Sequence, residues 1–337
     1  MSVLNAPHFH DEAAAFAELE AILWPDGPIC PHCGALDRIY GLKGVRSKPS
    51  KKHPEGVERH GLKKCGHCRK QFTVRVGTVF EDSHAPLHKW LQAIHLMVAS
   101  KKGISSHQLH RILEVQYNTA WFMSHRIREA MRVGGFKVPM GGAGGIVEID
   151  ETIYGRASTH PKGRKPLATR ATSRITNSAH KNVILSLVER GGSVRSFHVA
   201  GSTVGEIIPI VNENVAKEAA VMTDSAQLYK YRLGDFASHD RVDHSDKEYA
   251  RYEEGRPVIH TNTVENYFSV FKRGMRGVYQ HCAEKHLHRY LAEFDFRYNN
   301  RSALGVEDVE RAKKATIGAK GKRLTYRQPD GSGGVES

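Results

Sequence analysis

Two short runs rich in β-branched residues each end in an aspartate, and this pattern constrains the fold of the chain more than any other feature. Residues 145–150 end at Asp150 and residues 219–224 end at Asp224, so the sequence predicts two strands with an acid at the end of each. A third acid, Glu265, lies in a stretch with helical periodicity. A single aspartate at a strand end is usually only a solvated carboxylate. Three acids in this order are a far more specific signal.

A basic residue accompanies the third acid. Lys272 follows Glu265 by seven residues, which is about two helical turns, so both side chains are expected on one face of the helix. Carboxylates at strand ends and on a later helix suit two Mg²⁺ ions that hold a phosphodiester during in-line displacement. We expect Lys272, with Arg273 beside it, to hold the phosphate backbone of the substrate. The alternative for Lys272 is a solvated lysine.

Four of the five cysteines form two Cys-x-x-Cys pairs. Cys30 and Cys33 are the first pair, Cys65 and Cys68 are the second, and 31 residues separate the pairs. Thiolates spaced in this way on tight turns can both reach one tetrahedral Zn²⁺, and two pairs complete a four-sulfur shell. A thioredoxin-type redox motif would need one pair in a βαβ context, so we predict one structural zinc ion per chain. The remaining Cys282 is expected to be a reduced thiol.

The charge of the chain indicates a polyanionic partner. Lysines and arginines number 50 against 36 aspartates and glutamates, which gives a formal net charge of +14, and 21 histidines add latent positive charge. An excess of this size describes partners rather than fold, and nucleic acid is the first candidate. The sequence shows no signal peptide and no apolar run long enough for a membrane span. We expect a soluble cytoplasmic protein that binds DNA and no membrane.

Helical periodicity predicts a helix-turn-helix unit over residues 86–133. Its helices are expected at residues 87–100, 105–113 and 117–131, and the last of these would enter the major groove of DNA. The alternative is an ordinary three-helix packing unit with a solvated basic face. The side chains of the last helix that suit phosphates and base edges are Asn118, Thr119, Arg126, Arg128 and Arg132.

Other segments complete the predicted organisation. Short strands around the cysteine pairs predict a zinc ribbon over residues 13–82, including a strand over residues 70–80. The glycine-rich residues 134–145 are predicted to be a linker, and residues 160–181 are predicted to be a basic loop. The basic tail, residues 313–337, is expected to be disordered.

Residues 146–312 contain three strands, a helix, a strand with an acid at its end and a later acidic helix. This is the order of an RNase H-like fold, and a strand hairpin followed by a crossover helix implies a mixed sheet with helices on its faces. We therefore predict an α/β protein in which this domain follows the zinc ribbon and the helix-turn-helix unit. The histidine-rich residues 238–260 are expected to be irregular.

These motifs resemble a known family. Cys-Pro-His-Cys-Gly, and later Cys-x-x-Cys-Arg-x-x-Phe-Thr-Val-x-x-Gly-Thr-Val-Phe, are similar to the amino-terminal zinc ribbon of bacterial insertion-sequence transposases. Val-Glu-Ile-Asp-Glu-Thr, Met-Thr-Asp-Ser-Ala and His-Thr-Asn-Thr-Val-Glu-Asn are similar to the acidic blocks of their ISXO-type DDE domain. The resemblance extends over about residues 15–310.

The resemblance implies a function and a set of site residues. It implies that Asp150, Asp224 and Glu265 bind two Mg²⁺ or Mn²⁺ ions, and that Lys272 is the basic residue that follows the glutamate. It also implies cleavage and strand transfer at the ends of a mobile DNA element and in its target, by a homodimer or higher oligomer on DNA in the bacterial nucleoid. Two departures from the family pattern are Asp243, in place of an expected asparagine, and Arg156, in place of an expected glycine.

Two other functions remain open on the sequence. A structure-specific nuclease with the same fold would cut DNA without joining it. A zinc-ribbon and helix-turn-helix transcription regulator would explain the amino-terminal part of the chain, but would leave the three acids and Lys272 unexplained. His260 and Asn262, just before Glu265, are more simply loop-capping residues, and we leave them outside the catalytic set.

Overall fold

The chain forms two compact units. One unit combines residues 1–133 with residues 307–337, and the other contains residues 134–306. The catalytic domain was predicted to extend to residue 312, but residues 307–312 belong to the first unit with the rest of the carboxy-terminal segment. The computed structural model describes residues 3–51, 53–132, 134, 138–155, 181–243, 246 and 248–325.

The first unit begins with a helix and a small antiparallel sheet. Helix α1, Glu12–Leu23, starts at Asp11, whose carboxylate accepts a hydrogen bond of 2.7 Å from the Ala14 backbone N–H. Strands β1, Ile39–Gly41, β2, Lys63–Cys65, and β3, Gln71–Phe72, then pair in the order β1-β2-β3. Such short strands bury little apolar surface, so the ribbon depends on its cysteine centre.

The predicted strand over residues 70–80 is wrong beyond Phe72. The alternation of apolar residues there comes from turns, because Gly77 has a φ of 74° and the Thr78 hydroxyl donates a 2.6 Å hydrogen bond to the Arg75 carbonyl. Val79 and Phe80 are nevertheless fully buried. The turns therefore place apolar side chains in the core without extending the sheet.

Three helices follow as predicted. Helix α2 spans Leu87–Ala99, α3 spans Ser106–Leu113 and α4 spans Tyr117–Met131. The turn between α3 and α4 depends on Glu114, which takes a left-handed conformation with φ 51° and ends α3. The result is a helix-turn-helix arrangement.

The carboxy-terminal segment packs onto these helices. Helix α8, Asp308–Ile317, contacts α1 and α2, and the buried Arg311 donates a 3.1 Å hydrogen bond to the Val98 carbonyl. Lys322 donates a 2.9 Å hydrogen bond to the Glu129 carbonyl. The predicted disorder is therefore wrong for residues 313–325. Part of this segment belongs to α8, and Lys322 binds a carbonyl of α4. The rest of the predicted tail lies outside the described residues.

The second unit contains strands and helices in the order β4, Ile146–Tyr154, β5, Asn182–Glu189, β6, Val194–Val199, α5, Val204–Asn214, β7, Ala220–Asp224, β8, Ser238–Val242, α6, Asn262–Gly274, and α7, Leu287–Asn299. The strands form one mixed sheet in the order β6-β5-β4-β7-β8. The β4–β5 and β5–β6 pairs are antiparallel, and the β4–β7 and β7–β8 pairs are parallel. This topology is the predicted RNase H-like one.

Helices cover both faces of this sheet. Side chains of β5 alternate between the two faces: Leu185 and Leu187 pack with α5, whereas Ile184 and Val188 pack with α6 and α7. A central strand buried on both faces is typical of an α/β sheet. Helix α6, which carries Glu265, is therefore held against the sheet by its own apolar face.

Two predicted irregular segments contribute to this unit. Residues 238–260 were predicted to be irregular, but their first five residues form the edge strand β8. The sequence did not indicate this strand, because most of its side chains are polar. Within the predicted linker, Met140 is buried, donates to the Asn214 carbonyl at 2.8 Å and accepts from the Ala216 N–H at 2.9 Å. Residues 138–145 therefore pack into the second unit. Arg156 and residues 160–180 of the predicted basic loop lie outside the described residues.

Candidate active site and zinc centre

The four paired cysteines meet at one point. The Sγ atoms of Cys30 and Cys68 are 3.6 Å apart, those of Cys33 and Cys65 are 3.7 Å apart, and all four lie within 4.8 Å of one another. These distances suit a tetrahedral ion held by four sulfur atoms. The structure therefore brings the four predicted zinc ligands together.

Backbone amides of the two knuckles favour the thiolate forms. The Cys68 and His67 backbone N–H groups lower the pKa of the Cys65 thiol. Burial raises the pKa of the Cys30 thiol, but hydrogen bonds from the backbone of His32 and Cys33 outweigh it and bring this pKa to about 7. Thiolate is the form that binds a metal, so these amides prepare the sulfur atoms of Cys30 and Cys65 for zinc.

The two predicted strand-end acids lie side by side. Strands β4 and β7 are parallel neighbours, and Ile149 pairs with Thr223. Asp150 and Asp224 follow these residues directly, so the pairing register places them next to each other where β7 ends. The prediction that a strand ends at Asp150 is wrong, because β4 continues to Tyr154 and stays paired with β5. Both side chains are half-buried. The structure therefore brings together two of the three predicted acids through strand pairing alone.

The third acid and its basic companion line a cavity beside Asp150. This cavity has a volume of about 790 Å³. Glu265 and Lys272 both lie on α6 and face it, which agrees with the face predicted from their seven-residue spacing. The remaining lining residues are Glu151, Thr152, Phe268, Ser269, Arg273, Arg276 and Gly277.

The charges of the cavity influence one another strongly. Burial, the neighbouring Asp224 and Glu151 raise the pKa of Asp150 well above its ordinary value, and Glu265 contributes in the same direction. Burial and Arg276 lower the pKa of Lys272, although the attraction of Asp150 opposes this. Crowded carboxylates that resist ionisation are a common feature of functional sites.

A fourth acid, Glu151, also lines the cavity and was not selected from the sequence. Its carboxylate accepts a hydrogen bond from the hydroxyl of Tyr229, which is fully buried. Burial raises the pKa of Glu151 to about 7. The only sequence signal was its position next to Asp150.

Glu148 is a second acid that the sequence analysis missed. It lies on β4, no part of its side chain is exposed, and it accepts hydrogen bonds from the first residues of α6. In the sequence Glu148 lies between two apolar residues of a predicted strand. A glutamate that alternates with apolar residues usually faces solvent, so the sequence did not indicate that it is buried.

The predicted DNA-reading residues of α4 fall into two groups. Asn118 is exposed and Thr119 is half-buried, and both line a second cavity of about 540 Å³ in the first unit. Arg132 is exposed at the end of α4, where its Nη1 lies 3.3 Å from the Glu129 carboxylate. These three positions remain compatible with contacts to DNA.

Arg126 and Arg128 are not available to DNA, and their predicted role is wrong. Arg126 is 5% exposed and donates to the carbonyls of Val79 and Glu81 at 2.8 and 2.7 Å. Arg128 is 1% exposed and donates to the Ser124 hydroxyl at 3.0 Å. Their basic side chains hold the core of the first unit, because buried backbone carbonyls need donors.

Among the residues that the structure describes, the four cysteines alone form a close group of three or more potential metal ligands. The acids Asp150, Asp224 and Glu265 do not form such a group. Arg273, the other predicted phosphate ligand, is exposed on the cavity wall and donates to the Ser269 hydroxyl at 2.7 Å.

Two family models match the chain, one in each unit. Residues 10–71 match the transposase zinc-ribbon domain, so the class of protein is a transposase. Residues 142–299, which include all three acids and Lys272, match the ISXO2-like transposase domain. The chain therefore belongs to the ISXO2-like family of insertion-sequence transposases. This membership confirms the resemblance drawn from the motifs.

A relative in an archaeon extends this comparison. A protein of the transposable element ISH50 from Halobacterium salinarum is 28% identical to the chain over 300 residues. These residues are 86% of this chain and 91% of the relative, so the similarity includes both units. In the described part of the chain, no helix has the length and apolar character needed to cross a membrane.

Proposed function

We propose that the protein binds the ends of a mobile DNA element and catalyses their metal-dependent cleavage and strand transfer. The observation that carries this proposal is the cavity that Asp150 and Glu265 line together with Lys272, Arg273 and Arg276. Carboxylates are suitable ligands for divalent metal ions, whereas the neighbouring lysine and arginine side chains can bind a phosphodiester backbone. Asp224, beside Asp150, completes the acidic set. The assignment of the zinc ribbon and the helix-turn-helix unit to DNA binding, and of the RNase H-like domain to catalysis, is part of the proposal.

The donor set fits catalytic metal ions. Asp150, Asp224 and Glu265 would hold Mg²⁺ or Mn²⁺, since these cations prefer carboxylate oxygen. Burial and then the neighbouring acids raise the pKa of Asp150, and a bound cation would stabilise its ionised form. Two such cations supply Lewis acidity to the attacking and leaving oxygens when they are bound. The acids themselves neutralise the cations, so that anionic DNA can approach.

The basic residues of the cavity have a separate role in the proposal. Lys272 is half-buried on the wall shared with Glu265, and Arg273 and Arg276 are exposed beside it. We propose that they hold the DNA strand whose phosphate lies at the acids. No residue of this basic group is needed to bind the cations.

Replacement of Lys272 by alanine is expected to slow joining and to remove about one phosphate contact, which lowers the slope of log affinity against log salt by about 0.9. Joining assays and binding titrations at several salt concentrations measure both effects. Lys217→Ala is the matched control, because Lys217 lies over the Phe236 ring in the same unit and outside the cavity. Unchanged joining and an unchanged salt slope would make Lys272 a surface lysine.

The first unit is proposed to recognise the element ends. Asn118 and Thr119 lie in the first turn of α4 after the left-handed turn at Glu114, as expected for side chains of a recognition helix. Arg132 would contact phosphate. The buried Arg126 and Arg128 have no part in this proposal.

Replacement of Asn118 by alanine in the full chain is expected to reduce the preference for end DNA, by about 1–3 kcal/mol for a good base contact. Competition binding between an end sequence and a scrambled sequence at one salt concentration measures this preference. Affinity for scrambled DNA is expected to stay the same, because a base contact adds little there. Wild-type discrimination in the variant would contradict a base-reading role for Asn118.

A strand-transfer assay tests the whole proposal. Purified protein is incubated with Mn²⁺, a labelled fragment that carries the terminal sequence of the element, and a plasmid target. Cleavage with joining supports a transposase. Cleavage without joining would support the structure-specific nuclease instead. Sequence-specific binding with neither reaction would support the transcription regulator. Crosslinking on paired ends measures the proposed dimer or higher oligomer.

A further inference from the structure

Glu148 is a buried charge whose position calls for a physical explanation. It lies on β4 two residues before Asp150, and its relative exposure is 0%. A buried carboxylate is unfavourable unless it is paired and hydrogen-bonded. Because it has no exposed surface, it cannot touch DNA, and any contribution to the reaction must act through its neighbours.

The carboxylate of Glu148 binds the amino-terminal end of α6. Its Oε2 accepts hydrogen bonds from the backbone N–H groups of Thr263 at 2.8 Å and Val264 at 3.0 Å. Its Oε1 accepts from the Thr263 hydroxyl at 2.8 Å. A negative charge at this end of a helix satisfies otherwise unpaired N–H groups and interacts favourably with the helix dipole. Glu148 therefore caps α6 from a strand distant in the sequence.

Arg190 completes the arrangement from the turn after β5. Its Nε donates to the Glu148 carboxylate at 2.6 Å, which balances the buried charge. Its other nitrogens donate to the Val258 carbonyl at 2.6 Å and to the His260 carbonyl at 2.9 Å. The His260 ring also lies close, with its Nδ1 3.1 Å from Glu148 Oε1. Together these contacts fix the segment that leads into α6.

The consequence concerns two of the proposed metal ligands. Glu148 lies two residues from Asp150 on β4, and the N–H groups that it binds lie one and two residues from Glu265 on α6. Thr261 in the same segment donates a 3.1 Å hydrogen bond to the Glu265 carboxylate. One buried side chain thus joins the strand of the first acid to the helix of the third.

We infer that Glu148 is a positioning residue, which sets the position of Glu265 relative to Asp150 and so determines the affinity of the site for divalent cations. This inference rests on the proposed function, since it concerns the same three acids. Replacing a residue that orients a metal ligand through hydrogen bonds typically lowers metal affinity or activity by about 10–100-fold.

Mn²⁺ binding to the full-length protein tests the inference. Glu148→Gln keeps the size of the side chain but replaces one acceptor oxygen by an NH₂ group, which faces donors. Mn²⁺ affinity, measured by electron paramagnetic resonance of free Mn²⁺, is expected to fall by about 10–100-fold. Glu293→Gln is the matched control, because Glu293 is equally buried in the same unit and its carboxylate pairs with Arg297, one turn further along α7. Its Mn²⁺ affinity is expected to match the wild type.

A double variant separates positioning from general destabilisation. If Glu148 acts through Glu265, adding Glu148→Gln to Glu265→Gln is expected to change Mn²⁺ affinity no further. An equal loss in both backgrounds would overturn the inference. Thermal unfolding checks each variant. If Glu148→Gln does not fold, Thr263→Val, which removes only the hydroxyl donor to Glu148, is expected to give a smaller loss in the same direction.

The outcomes also distinguish the inference from the function on which it rests. Failure of the wild type to bind Mn²⁺ at all would contradict the proposed function. Mn²⁺ binding by the wild type with unchanged affinity in folded Glu148→Gln would contradict the inference alone. If only Thr263→Val can be measured, an affinity equal to that of the wild type would contradict it as well.

Discussion

Replacement of Asp150 or Asp224 by asparagine, or of Glu265 by glutamine, is expected to abolish cleavage and joining while binding to element ends persists. Each change removes a proposed metal ligand. The loss of activity should exceed about 100-fold, because replacing a residue that only orients a metal ligand already lowers activity by about 10–100-fold. Joining of a labelled end measures activity, and gel-shift titration with the same fragment measures binding. Retained binding is expected because the end-reading residues are proposed to lie in the first unit.

Asp235→Asn serves as the control for these variants. Asp235 is an acid of the same unit whose side chain is 86% exposed, and it lies outside the lining of the cavity. Its replacement is expected to leave joining and binding unchanged. Any variant of the three acids that joins DNA at the wild-type rate would remove that residue from the proposed metal site, whereas loss of both joining and end binding would indicate misfolding.

Replacement of Cys30 or Cys65 by serine is expected to release zinc and unfold the ribbon. The ribbon has a very small core, in which Cys30, Cys65 and Phe72 are the buried members, so the metal must supply much of its stability. Structural zinc binds zinc-finger peptides with apparent free energies of about 10–16 kcal/mol at neutral pH, and binding is coupled to folding. Elemental analysis and calorimetric unfolding measure zinc content and the loss of the ribbon transition.

Cys282→Ser is the matched control for the zinc experiment. Cys282 is half-buried in the second unit and lies outside the four-sulfur cluster. Its replacement is expected to leave one zinc ion per chain and an unchanged unfolding profile. Full zinc content in Cys65→Ser, or a folded wild-type ribbon without zinc, would contradict the four-cysteine site.

Local patterns in the sequence were sufficient to predict most elements of both units. Helices α2, α3 and α4 have the predicted limits within a residue or so, because apolar spacing, Ser105 and the turn at Glu114 act over short distances. The knuckle spacing likewise predicted the sulfur cluster. Errors occurred where polar residues concealed an element, as in β8, or where the chain returned to an earlier unit, as in α8.

The predicted acids and the predicted arginines had different outcomes for a physical reason. Asp150 lies beside Asp224 because strands β4 and β7 pair in register, and the short β-branched run before each acid can be seen in the sequence. Arg126 and Arg128 also had the expected residue type on the expected helix. Which face of that helix is buried depends on packing partners as remote as Leu324, whose carbonyl accepts a 2.9 Å hydrogen bond from Arg126.

The sequence by itself determined the grouping of the four cysteines, the order of most elements and the family, because these depend on residue spacing and short-range conformational preference. Only the tertiary structure decided which charges are buried. Glu148 and Arg190 lie 42 positions apart, and Glu148 and Thr263 lie 115 apart, so no local pattern relates them. Their pairing follows from the way the sheet and α6 pack, since a buried carboxylate must find donors wherever the fold supplies them.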